Sequence, residues 1–194
     1  GVPIDRVEVV QPDTDVTPFD MATTSSRSTF HMGNAIALAA GDARRQLVVM
    51  AAGALEAHPE DLVVRDGRIS VKGAPDRSIT IGQAITARYG SRGGNVLGRG
   101  TYMPEGIKIP DPATGRSERP SIFWMYVAQA AEVELDRETG MVNVLRMTSA
   151  HDVGRANNPQ GCEGQVEGAA AKGLGGAFLE ELLVGANGEL RNPA

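Results

Sequence analysis

The sequence predicts a mixed α+β fold in which mainly antiparallel hairpins pack with two long helices. Three observations carry this. Apolar residues recur at helical spacing from about residue 29 to 57. Two strand–turn–strand stretches centre on Asp66-Gly67 and on Asp136 to Gly140. A glycine-rich helical run opens at Pro159.

Taken in order, Arg6 to Val10 has the alternating, β-branched pattern of a strand, closed by Pro12-Asp-Thr-Asp15. A polar loop leads to the first helix, from about Thr29 to Ala57. Phe30, Ile36, Ala40, Leu47, Val48, Ala51 and Leu55 fall near helical spacing there, and Ser28 or Thr29 is the natural N-cap. His58-Pro59 ends it, because the residue before proline avoids the α region. Residues 61–71 read as a hairpin turned at Asp66-Gly67, and Thr80 caps a short helix from Ile81 to Tyr89. Ser91 to Ser121 is a long connection rich in Gly, Pro and Arg. Ile122 to Leu135 is a second strong strand, with Ala131, Val133 and Leu135 on one face and Glu132 and Glu134 on the other. Met141 to Ser149 returns it to His151-Asp152, and the last helix runs from Pro159 to about Leu183. The organisation is strand–helix–hairpin–helix over 1–90, a loop over 91–121, and hairpin plus glycine-rich helix over 122–194. Both ends read as cut, so the chain reads as a fragment of something larger.

Composition narrows the function. The 194 residues carry a net charge of −5, with 41% hydrophobic and 22% charged residues. That balance argues against a nucleic-acid or anionic-membrane partner, both of which select clustered Lys and Arg. No apolar run reaches the length of a membrane span and no signal-peptide pattern appears, which points to the cytoplasm. The one cysteine, Cys162, precludes an internal disulfide framework and a Cys-ligated iron–sulfur cluster held by this chain alone.

Two segments carry chemistry. Thr23, Thr24, Ser25, Ser26, Ser28 and Thr29 place six hydroxyls in seven positions around Arg27, just before a long helix. A helix N-terminus favours an anion, and short hydroxyls add donors without blocking the backbone. The other reading is a solvated serine–threonine loop with one N-cap; Gly33, one turn in, favours close approach of a ligand. The second segment is the stretch from His151 to Pro159 with Gly164-Gln-Val-Glu-Gly168. Gly164, Gly168, Gly173, Gly175 and Gly176 recur in a helix where each costs roughly 0.5–1 kcal/mol relative to alanine. Something large lying against the backbone would explain them. Gln165 offers two donors and an acceptor on one amide.

Other residues read as structural. His151 is expected to be satisfied at a strand end, Asp152 to bind turn amides, and Asn157 and Asn158 to form a turn and a cap. Glu167 reads as half of a structural pair. Only three histidines occur, without His-x-x-x-His spacing, so no metal ligands are assigned. Gly173-Leu-Gly-Gly-Ala177 lacks the full dinucleotide pattern and lies within a helix. The apolar run Ile122-Phe-Trp-Met-Tyr126 reads as a buried strand or as a subunit contact.

In combination these motifs resemble the molybdopterin-binding subunit of the xanthine dehydrogenase, aldehyde oxidase and carbon monoxide dehydrogenase family. Ser26-Arg-Ser28 with Gly33-Asn-Ala35 fits its loop beside the pterin, and Gly164-Gln-Val-Glu-Gly168 fits its Gly-Gln-x-Glu-Gly motif. The resemblance implies part of a molybdopterin-binding domain, with Thr24, Ser25, Ser26, Arg27, Ser28 and Gln165 as cofactor-binding residues. It implies molybdenum on a pterin, in the cytosine dinucleotide form, with iron–sulfur clusters and FAD on partner domains or subunits. The implied reaction oxidises an aldehyde, N-heterocycle or related small substrate with oxygen from water. The family's glutamate base is expected outside this chain, so no catalytic residue is assigned. A catalytically silent scaffold or assembly subunit is the alternative.

Overall fold

The computed structural model describes residues 1–10, 13–15, 17–20 and 22–192. Contacts divide the chain into two compact units, Gly1–Ile107 and Lys108–Ala194.

The first unit is built on α1, Ser28–Leu55, against a three-stranded antiparallel sheet. Strands β1 (Leu62–Arg65) and β2 (Arg68–Val71) form the expected hairpin, with Leu62 opposite Val71. Its turn places Asp66 and Gly67 at φ 49° and 75°, a left-handed pair that Asp-Gly accommodates. β3, Ala74–Thr80, completes the sheet beside β2. It carries Pro75, tolerated because β3 is an edge strand. Thr80 then caps α2, Ile81–Tyr89, in a reciprocal capping box with Gln83.

The core sits where the C-terminal half of α1 meets the sheet and α2. Val48, Ala51 and Leu55 of α1 pack with Leu62, Ile69 and Ala84. Ile69, Ala51 and Ala84 are fully excluded from solvent.

The N-terminal half of α1 is covered differently. Residues 97–102 lie along it as a strap. A Cβ on Gly98 would stand 2.2 Å from the Ala39 carbonyl, and one on Gly100 would stand 2.3 Å from the Ala35 carbonyl. Only glycine permits backbone to approach backbone this closely. The Gln46 amide donates to Leu97 O at 3.0 Å, and Arg99 N donates to Asp42 Oδ2 at 3.1 Å.

The second unit holds the other hairpin, β4 (Val127–Leu135) and β5 (Val142–His151), with α3, Pro159–Phe178. Val127 pairs with His151, and a bulge interrupts the ladder at Glu132/Val133. Asp136 ties the connecting turn, accepting from Glu138 N and from the Thr139 hydroxyl. Asn158 accepts from Gly161 N at 3.0 Å and Pro159 opens α3, as the sequence predicts.

Several expectations are corrected. Residues 6–10 form no strand: a 3-10 helix spans Ile4–Arg6, and 7–10 are exposed without a neighbouring strand. Neither Ser28 nor Thr29 caps α1; Arg27 occupies the N-cap position and no side chain caps it. α1 ends at Leu55, where Glu56 turns left-handed at φ 47°, ahead of His58-Pro59. β4 starts at Val127, so the 122–126 run is not a buried strand; Trp124 and Tyr126 are 69% and 75% exposed. α3 stops at Phe178 rather than near Leu183. Pro12 of the expected 12–15 turn, and Pro193 and Ala194, lie outside the described residues.

Gly100→Ala should destabilise the protein by about 1–3 kcal/mol, since the new methyl meets helix backbone that cannot yield. Urea unfolding checks this, with Gly53→Ala, whose Cβ would meet nothing within 4 Å, as the benign control.

Candidate functional site

The hydroxyl-rich loop is shaped by its backbone. Ser25 and Ser26 both take φ of 53°, a left-handed conformation uncommon for non-glycine residues. Arg27 follows at φ −89° and ψ −17°, and its N–H closes a turn onto Thr24 O at 3.2 Å. The Arg27 side chain folds back rather than outward. Nε donates to Ala22 O and Nη2 to Asp20 Oδ1, each at 3.1 Å.

Thr23 to Ser26 are exposed, while Arg27 and Ser28 are half-buried. Among the described residues, the hydroxyls of Thr23, Thr24, Ser25, Ser26, Ser28 and Thr29 enter no hydrogen bond. They surround the N-terminus of α1, whose first turn holds no acidic residue and whose cap supplies no side-chain acceptor. The positive end of a 28-residue helix and hydroxyls without a hydrogen-bond partner among the described residues therefore lie together there. That donor set suits an anionic or acceptor-rich ligand.

The next turn is braced. His31 Nδ1 lies 3.2 Å from Arg27 O, and Asn34 Nδ2 donates to Phe30 O at 2.6 Å. Tyr102, at the end of the strap, meets Phe30 and His31 edge-on, with ring centroids 5.7 and 6.1 Å away. A Cβ on Gly33 would meet nothing within 4 Å, so this helix face is open.

In the second unit Gln165 is exposed on α3, and its side-chain amide enters no hydrogen bond among the described residues. Cβ atoms on Gly164, Gly168, Gly173 and Gly176 would all meet open space. Nothing within the described structure requires these glycines. A cleft of about 450 Å³ lies between α3 and β5, lined by Ser149, His151, Cys162, Glu163, Val166 and Glu167 among others. Gln165 is not part of that lining. Asp152 binds a turn amide as expected, accepting from Gly154 N at 3.0 Å. His151 is not satisfied: its Nε2 is buried without a partner among the described residues. Glu167 forms no ion pair among the described residues, against the structural pair expected for it. No group of three or more His, Cys, Asp or Glu among the described residues is arranged to hold a metal ion. Among the described residues no helix is long and apolar enough to cross a membrane.

Sequence reasoning missed Asp20, the strap and Tyr102. Asp20 had one available signal, a carboxylate seven residues before the arginine of a polar loop. The strap had none, because its contacts join residues more than fifty positions apart.

The molybdopterin cofactor-binding domain family matches residues 1–194. The chain belongs to that family. It is 30% identical over 191 residues to the gamma subunit of the 6-hydroxypseudooxynicotine dehydrogenase complex of Paenarthrobacter nicotinovorans, covering 95% of this chain and 22% of that protein. It is 30% identical over 182 residues to the carbon monoxide dehydrogenase large chain of Afipia carboxidovorans, covering 94% and 21%. The crystal structure of quinoline 2-oxidoreductase from Pseudomonas putida 86 superposes with a TM-score of 0.72 at 26% identity, over 99% of this chain and 23% of that one. The resemblance to molybdopterin-binding subunits of the xanthine dehydrogenase and carbon monoxide dehydrogenase family therefore holds, and so does the mixed α+β fold. This cofactor-binding domain spans about a fifth of the length of the curated relatives it matches.

Asp42, which holds the strap, has its pKa lowered, chiefly by the Arg99 N–H; desolvation opposes this, and the Gln46 amide and Arg45 add to the lowering. A depressed carboxylate stabilises the fold above its unfolded pKa and loses that contribution as pH falls through the folded one. The stability difference between wild type and Asp42→Asn should therefore be greatest near neutral pH and shrink below about pH 4. Urea titrations across that range check it; a difference independent of pH would contradict it.

Proposed function

We propose that this domain binds the molybdenum cofactor of a molybdenum hydroxylase that oxidises an aldehyde, N-heterocycle or related small substrate with oxygen from water. The observation that carries the reading is the N-terminus of α1, without a side-chain cap and beside hydroxyls that make no hydrogen bond among the described residues, in a chain of the molybdopterin-binding family. Thr24, Ser25, Ser26 and Ser28 are proposed to hold the cofactor at that loop directly, and Arg27 by shaping the loop around it. Gln165 is proposed as a separate contact from α3, its amide suited to the edge of a pterin or its terminal groups. The open glycine faces at Gly33 in the first unit, and at Gly164 and Gly168 in the second, each support close approach of a ligand. When bound, the molybdenum centre supplies the oxidation chemistry; the residues here bind and orient.

The cofactor form is proposed to be the cytosine dinucleotide, with iron–sulfur clusters and FAD on partner domains or subunits in the cytoplasm. The remaining molybdopterin-domain segments are proposed as covering partners. The second unit supports this with its exposed apolar residues, Trp124, Met125, Tyr126 and Leu135 among them. The catalytic base is proposed to lie outside this chain.

Ser26→Ala and Gln165→Ala should each lower molybdenum and pterin-nucleotide content by about tenfold or more in the complex purified through a tag on this chain, the order expected when a ligand loses a buried hydrogen bond. A silent scaffold would assemble equally well and carry no cofactor in wild type or variants. Gly33→Ala separates fold from ligand. It should stabilise the cofactor-free chain by about 0.5–1 kcal/mol while reducing cofactor content.

A further inference from the structure

The hydroxyl loop holds an unfavourable conformation, and Arg27 holds it there through both backbone and side chain. Two consecutive serines in left-handed backbone carry a steric cost that persists only where surroundings impose it. The surroundings here are the Arg27 N–H, which closes the turn onto Thr24 O, and the Arg27 guanidinium. Its side chain is only 18% exposed, and its Nε and Nη2 reach across the bend to Ala22 O and Asp20 Oδ1. Asp20 is 51% exposed and engages no other cation among the described residues. Its one evident role is to orient Arg27. The Arg27 carbonyl in turn faces His31 Nδ1, joining this staple to the braced second turn of α1.

We propose that Asp20 is a positioning residue for cofactor binding, acting through Arg27 to hold Ser25 and Ser26 in the left-handed conformation that presents their donors. This rests on the cofactor-binding reading above and deepens it. Arg27 serves the site as a staple whose planar fork spans two acceptors, a geometry lysine cannot reproduce. Cofactor retention then depends on a charge pair within the loop.

The test uses the complex purified through a tag on this chain, with molybdenum and released pterin nucleotide measured per chain. Hydrogen exchange is followed over residues 22–28. Asp20→Asn and Arg27→Lys should each reduce cofactor content by about tenfold, the factor attached to one charge-assisted hydrogen bond. They should also speed exchange in the loop, whereas Asp20→Glu should restore both towards wild type. Unfolding midpoints should not move, because Asp20 lies outside the buried core. Wild-type cofactor content and exchange in Asp20→Asn, with loss in Ser26→Ala, would overturn the staple and leave the cofactor reading standing. Full retention in Ser26→Ala and Gln165→Ala as well would overturn the cofactor reading itself. Loss in Arg27→Lys but not in Asp20→Asn would make Arg27 a direct ligand and likewise overturn the role given to Asp20.

Discussion

The first unit depends on how α1 is held along its length. A 28-residue helix is roughly 40 Å long, far more than one small sheet covers. Its C-terminal half is fixed by hydrophobic burial of Val48, Ala51 and Leu55. Its N-terminal half has no such core. It is held by a backbone strap, made possible by Gly98 and Gly100 and tied by Asp42, Gln46 and Tyr102. Without the strap the first turns of α1 would fray as helix ends do, and the loop would lose its platform. The two supports are chemically distinct. One is apolar and insensitive to pH, while the other includes a carboxylate that must stay ionised.

A rigid platform matters because the candidate site is made of small groups. Hydroxyls and backbone N–H groups are weak donors individually and become useful when several converge on one ligand. Convergence requires that the loop not sample the broad β region that serines prefer. The Asp20–Arg27 pair and the braced second turn restrict that sampling locally, while the strap restricts it from the side. The second unit follows another logic. Among its described residues no side chain is fully buried, and a two-stranded sheet is marginal by itself. Its glycine-rich helix and exposed aromatic run fit a surface built to be covered. This agrees with the chain matching only about a fifth of each relative.

Legibility in the sequence followed the range of the interactions. The Asp66-Gly67 turn, the Thr80–Gln83 capping box and the Asn158-Pro159 start of α3 were all readable, because each is decided within four residues. The alternating residues 7–10 misled, since a strand needs a partner and none is present among the described residues. β3 was hidden by its own composition, because an edge position excuses Pro75 and four polar residues. Ser28 looked like a cap because hydroxyls usually cap. Here Arg27 takes that position, its side chain turned back towards Asp20. At the site, the hydroxyl cluster and Gln165 were visible as residue types. The left-handed serines and the strap were not, being consequences of tertiary geometry.

The most direct measurement of the central claim is the molybdenum and released nucleotide content of the complex purified from its native host through a tag on this chain. Near-stoichiometric molybdenum with a pterin cytosine nucleotide is the expected result. A well-folded, fully assembled complex containing neither would contradict that claim.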